Sequence, residues 1–116
     1  MKILVTGGTG MVGKHLEKIL PNAIFVGSEF DLRDWMEAEN LFATYEPTHV
    51  IHLAAKVGGI RDNIAKPAEY FDDNILINTN VMKMCRIYDV KRLVGILSTC
   101  VYPDKMQSYP MKETDL

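Results

Sequence analysis

Cysteine is scarce in this chain of 116 residues, which has Cys85 and Cys100 and no others. Two are too few for a disulfide framework, and they imply a reducing, cytoplasmic setting. Basic clusters are also missing. Lys and Arg number 13 against 15 Asp and Glu, a formal net charge of −2, and they are scattered, which argues against a nucleic-acid partner. No apolar run approaches the roughly 20 residues of a bilayer-crossing helix, and the run near Met1 is too short for a secretory leader, so no membrane partner is expected. Repeats, low-complexity tracts and linker-like stretches are absent. His15, His49 and His52 have no Cys or Asp at metal-ligand spacing, which leaves no metal site.

What remains is an apolar chain, 47% hydrophobic, long enough for one domain with a core. It is organised around Lys2–Lys14. Ile3, Leu4 and Val5 read as a strand buried on both faces, and Val12, Leu16, Ile19 and Leu20 recur at helical spacing. Between them lie Gly7, Gly10 and Gly13. Gly7 allows a tight turn, Gly10 lets the backbone approach a pyrophosphate, and Gly13 lets the helix lie close to the strand. Amides at the helix start, those of Met11 and Val12 among them, then face the phosphates.

Beyond that turn the first helix is expected over about Met11–Leu20, ending at Pro21. A second strand spans Ala23–Val26. Asp31–Asp34 leads into a helix whose apolar residues Trp35, Ala38, Leu41, Phe42 and Tyr45 share one side, and Glu46-Pro47 ends it. The third strand is Thr48–Leu53, followed by a loop of small residues, Ala54–Ile60, and a polar segment, Arg61–Lys66. Pro67 can open a helix that runs to about Tyr88, with Phe71, Ile75, Met82 and Cys85 as core positions. The fourth strand is Leu93–Leu97.

Alternation of strand and helix predicts an α/β fold, a Rossmann-like parallel sheet with helices on both faces and right-handed crossovers. The expected strand order is 3-2-1-4, which places the ligand crevice between strands one and four, where the order reverses. Residues 1–103 form the nucleotide-binding portion, and 104–116 a polar loop or tail leading toward a further portion.

Three segments after the strands carry a resemblance. Thr6-Gly-Gly-Thr-Gly-Met-Val-Gly13, His52-Leu-Ala-Ala-Lys-Val-Gly-Gly-Ile60 and Leu97-Ser-Thr-Cys-Val-Tyr-Pro103 resemble the extended short-chain dehydrogenase/reductase family. Within it they are most similar to the branch that epimerises and reduces GDP-4-keto-6-deoxymannose with NADPH. The resemblance implies an NADP cofactor in preference to NAD, and a GDP-linked hexose as substrate. It also implies that Ser98 hydrogen-bonds the C4 carbonyl oxygen during hydride transfer and that Cys100 moves protons in the epimerisations beside that ketone. Leu53, Ala54 and Ala55 would line the cofactor channel, and Asp31 and Leu32 would flank the adenine. Read without the resemblance, Ser98 caps a strand end and Cys100 is a packed thiol. Cys85 is plain core, His52 a packed, hydrogen-bonded histidine, and Asn74 and Asn80 tie the long helix to neighbouring loops.

The chain departs from that family in two respects. None of Tyr45, Tyr70, Tyr88, Tyr102 and Tyr109 has Lys four residues later, so the Tyr-x-x-x-Lys pair implied by the resemblance is absent. Charge for a 2′-phosphate is also thin: Thr9 and Ser28 are neutral and Glu29 is acidic, leaving Lys14 or Arg33 to compensate. Three readings follow. The chain is the cofactor-binding portion of such an enzyme, inactive alone and assembling as a homodimer or with a complementing C-terminal fragment. Alternatively it is a non-catalytic nucleotide-binding module or split-protein partner, or part of another sugar-nucleotide epimerase, dehydratase or reductase.

Overall fold

The computed structural model of the chain describes residues 1–98, 101–103, 105 and 109–115, so Cys100 lies outside the described residues. Apolar runs form four strands, β1 (Ile3–Thr6), β2 (Ile24–Val26), β3 (His49–His52) and β4 (Arg92–Gly95). The helices are α1 (Met11–Leu16), α2 (Trp35–Tyr45), α3 (Ile60–Ala65) and α4 (Pro67–Ile87). A 3-10 turn spans Glu113–Asp115. All strand pairs are parallel, the Rossmann-like architecture expected.

The strand order differs from expectation: it is 2-1-3-4, not 3-2-1-4. β3 pairs with β1 in the register Ile3↔His49 through Thr6↔His52. Thr48 and His49 amides both donate to the Lys2 carbonyl at 3.0 Å, and Thr6 bonds His52 at the other end of the pairing. β2 has three residues, two of them half-buried, and suits a sheet edge better than a central place. The order therefore reverses between β1 and β3, and the crevice lies there rather than between strands one and four.

Right-handed crossovers place α1 on one face of the sheet and α2 and α4 on the other, where these two helices pack together. Leu4, Val26 and Val50 from the strands meet Ala38, Leu41, Phe42, Val81, Met84 and Cys85 from the helices in one buried cluster. Helix α2 begins where the Asp34 carboxylate accepts from the Met36 and Glu37 amides at 2.7 and 3.3 Å, a side-chain N-cap. It ends with Glu46 in the left-handed region, φ 42°, just before Pro47.

Three local expectations are corrected. Helix α1 stops at Leu16, not Leu20, and Ile19 is 71% exposed. Residues 60–65 form the short helix α3, supported by the Asp62–Lys66 ion pair one turn apart and by Asn63 donating to the Gly58 and Gly59 carbonyls. On α4, Cys85 is buried as expected, but Phe71, Ile75 and Met82 are exposed, and the helix turns Val81 and Met84 inward in their place. Burial pushes the Cys85 thiol up to about 11, as befits a core position.

Candidate dinucleotide site

Beyond the carboxyl ends of β1 and β3 lies a cavity of about 740 Å³, within the range of small-molecule and cofactor sites. Gly7, Gly10, Met11 and Val12 form one wall, Leu53, Ala54 and Ala55 another, and Asp31 and Leu32 a third. Gly13 stands behind the first wall: it is buried, and a Cβ there would lie 2.2 Å from the Gly8 carbonyl oxygen. Ser98 is not part of the lining, to which the exit of β4 contributes through Ile96. The Ser98 carbonyl accepts from the Val101 amide at 3.2 Å.

The glycine turn explains the shape. Gly7 has φ +70°, and a Cβ there would meet the Ala54 amide nitrogen at 2.7 Å. Only glycine lets the β1 exit and the β3 exit approach so closely. The Gly10 amide then closes the turn on the Gly7 carbonyl at 3.0 Å. Met11 and Val12 follow in the first turn of α1, where amides have no helical acceptor and favour an anion.

Behind the turn runs a buried polar relay. Thr6 Oγ1 lies 2.6 Å from His52 Nδ1, and His52 Nε2 lies 3.0 Å from Asn78 Oδ1. With Asn78 Oδ1 accepting, the ring is neutral with its proton on Nε2, and Nδ1 accepts from the Thr6 hydroxyl. The Ala54 amide donates to Thr6 Oγ1 at 3.4 Å, which joins β1, β3 and α4 beneath the cavity floor. Burial lowers the His52 pKa below its ordinary 6.5, against the opposing effect of the Asn78 bond. The folded chain therefore resists a proton that the unfolded chain accepts. His52 contributes stability that is fully present above about pH 6.5 and is lost as pH falls toward the folded value. Melting curves from pH 7 to 5 should show this loss, at most about 1.4 kcal/mol per pH unit, and His52→Gln should abolish that part of the slope.

Sequence reasoning named Asp31 and Arg33 but missed Lys56, Asp73 and the pairing that joins all four. Arg33 bonds Asp31 through Nε and Nη2 at 2.8 and 2.7 Å and reaches Asp73 at 3.2 Å. Lys56 donates to Asp73 at 2.8 Å and also to Glu69. The Arg33 guanidinium holds the Asp31 carboxyl down to about 2, and Lys56, with Arg33 behind it, lowers Asp73. Two asparagines fasten this frame. The Lys56 amide donates to Asn74 Oδ1 at 2.8 Å and Asn74 Nδ2 donates to the Lys56 carbonyl at 3.0 Å. Asn80 Nδ2 donates to the Leu32 and Arg33 carbonyls, each at 3.0 Å. Asp73 and Ile77, one turn apart on α4, both face the cavity. That spacing was visible in the sequence, but which face of α4 meets the loop was not.

Comparison with known proteins agrees with this geometry. The pattern of the NAD dependent epimerase/dehydratase family matches residues 3–116. GDP-L-fucose synthase of Dictyostelium discoideum is 43% identical over 120 residues, covering 97% of this chain and 37% of that protein. Among solved structures, a GDP-L-fucose synthetase from Naegleria fowleri bound to NADP superposes with TM-score 0.88 at 43% identity, covering 98% of this chain and 36% of the other. A UDP-glucose 4-epimerase from Thermus thermophilus in complex with NAD gives TM-score 0.84 at 30% identity, covering 99% and 43%. The chain thus spans little more than a third of the length of the fucose-synthase relatives it matches. With a parallel sheet, a glycine turn at its reversal point and a family pattern along nearly its whole length, the chain belongs to the NAD dependent epimerase/dehydratase family.

Proposed function

We propose that this chain is the cofactor-binding part of a GDP-L-fucose synthase-type enzyme, one that epimerises GDP-4-keto-6-deoxymannose and reduces its C4 ketone. The observation that carries the reading is the glycine turn opening onto the 740 Å³ cavity, because glycines at its close-approach positions let the backbone reach a diphosphate. Gly7, Gly10, Met11 and Val12 would hold the diphosphate, with Gly13 keeping the helix against the strand. Leu53, Ala54 and Ala55 would admit the ribose and nicotinamide, and Asp31 and Leu32 would border the adenine. When bound, the reduced nicotinamide supplies the hydride. Ser98 would donate a hydrogen bond to the C4 oxygen as charge develops there, and Cys100 would exchange protons beside the ketone. Residues 104–116 would lead from this portion toward the rest of the enzyme, in the cytoplasm.

Kinship nominates NADP as the cofactor. A second reading, a nucleotide-binding module that assembles with a copy of itself or with a complementing C-terminal fragment, is supported by uncovered apolar surface: Ile96 and Leu97 after β4 are 65% and 77% exposed, and Phe71 on α4 is 66% exposed. The first test of both is binding. Titration of reduced nicotinamide dinucleotides into the chain, followed by their fluorescence, should saturate; no saturation with either NADH or NADPH would overturn both readings. Activity on mixing with a complementing fragment then separates enzyme from module.

A further inference from the structure

At the adenosine-ribose end of the cavity we infer that Glu29 selects a free 2′-hydroxyl over a 2′-phosphate, making NAD(H) the preferred dinucleotide. The inference rests on the dinucleotide reading above, and it departs from the NADP that kinship nominates. Glu29 follows β2 by three residues and stands about twenty residues beyond the glycine turn, where an acidic side chain meets the ribose hydroxyls in dinucleotide-binding folds. Its Oε1 accepts from the Gly27 amide at 2.8 Å, which folds the carboxylate back over the strand end. A Cβ placed on Gly27 would lie 3.0 Å from Glu29 Oε2 and 2.4 Å from Thr9 Oγ1, so the carboxylate and the Thr9 hydroxyl flank Gly27. Thr9, Gly27 and Ser28 all line the cavity. Glu29 is not itself in the lining, and its carboxylate stands just outside it, beside these three residues.

A carboxylate there can accept from ribose hydroxyls, but it repels a phosphate carrying one to two negative charges. Among the described residues, nothing in the wall offsets it. The basic residues lining the cavity are Arg33 and Lys56, and each is already held by two carboxylates, Arg33 by Asp31 and Asp73 and Lys56 by Asp73 and Glu69. Turning Arg33 toward a 2′-phosphate would break its two hydrogen bonds to the Asp31 carboxylate. The residues present thus fit the dinucleotide along the turn and disagree with the 2′-phosphate of NADP.

The test is a pair of titrations of the chain with NADH and NADPH at low and high salt, repeated on Glu29→Gln and Glu29→Lys. NADH should bind roughly tenfold tighter or more at low salt, with the gap narrowing as salt screens the repulsion. Glu29→Gln should shrink the gap and Glu29→Lys should invert it. Glu29 is exposed, so both variants should melt as the parent does, and the Gln variant keeps the experiment decisive if the Lys variant does not fold. Equal or tighter NADPH binding by the parent, or a preference unchanged in both variants, overturns the inference and leaves the dinucleotide reading in place. Binding of neither nucleotide overturns both.

Discussion

Gly13→Ala and Gly7→Ala should each cost the fold about 3 kcal/mol, whereas Gly10→Ala should cost the fold little and the binding of nucleotide much. The three glycines look alike in sequence, yet their surroundings differ. A methyl on Gly13 would stand 2.2, 2.5 and 2.6 Å from the O, C and Cα atoms of Gly8, and backbone cannot swing aside as a long side chain can. At Gly7 the methyl would meet the Ala54 nitrogen and the Leu53 carbonyl carbon at 2.7 and 2.8 Å, in a conformation with φ +70° that strains any other residue. Either change separates β1 from its neighbours and should lower the thermal midpoint by about 10 °C or more. Gly10 has φ −74°, which alanine adopts freely, and its added methyl would meet only the Gly7 carbonyl oxygen, at 3.1 Å. That methyl would instead project from the turn where a diphosphate must come close. Thermal melts and nucleotide titrations on the three variants read the two effects separately. A Gly13→Ala chain that melts like the parent would contradict the packing account.

Features set by neighbours in the chain were legible from the sequence. Helix α2 was framed by Asp34 before it and Glu46-Pro47 after it, and the structure runs it over Trp35–Tyr45 with the cap and the left-handed stop in those places. The glycine turn was equally local. Strand order was not, because β2 and β3 are both short apolar runs. What separates them is pairing across more than forty residues, Lys2 with Thr48 and Thr6 with His52. Helix α4 carries two apolar stripes, one through Phe71, Ile75 and Met82 and the other through Ile77, Val81 and Met84. Periodicity cannot rank them, and the crossover that lays α4 on the sheet does. The charged wall of Arg33, Lys56 and Asp73 likewise comes from three separate segments. Arg33 and the asparagines that bind those segments together were singled out in advance; Lys56 and Asp73 were not.

The 116 residues alone should show no oxidation of NADH or NADPH in the presence of GDP-4-keto-6-deoxymannose. Hydride arriving at C4 leaves an alkoxide that needs a proton, and a positioned general acid contributes about 10²–10⁴-fold to such a step. Among the described residues no tyrosine offers it. Tyr70 lies under Lys56 of the wall, but its hydroxyl already donates to Asp62, which raises its pKa and makes it a poorer acid. The Ser98 hydroxyl can donate a hydrogen bond without giving up its proton, and it lies outside the cavity lining. The relatives are close to three times as long as this chain, and the resemblance places their Tyr-x-x-x-Lys pair in the additional length. Supplying the remainder of the Dictyostelium relative as a separate chain should therefore restore turnover if the two parts assemble, with reduced-nicotinamide absorbance as the readout. In that restored enzyme Cys100→Ser should abolish epimerisation while leaving reduction of an already epimerised ketone. Turnover by the 116 residues unaided would mean that the proton comes from a group within them, and the division of labour argued for Ser98 and Cys100 would be wrong.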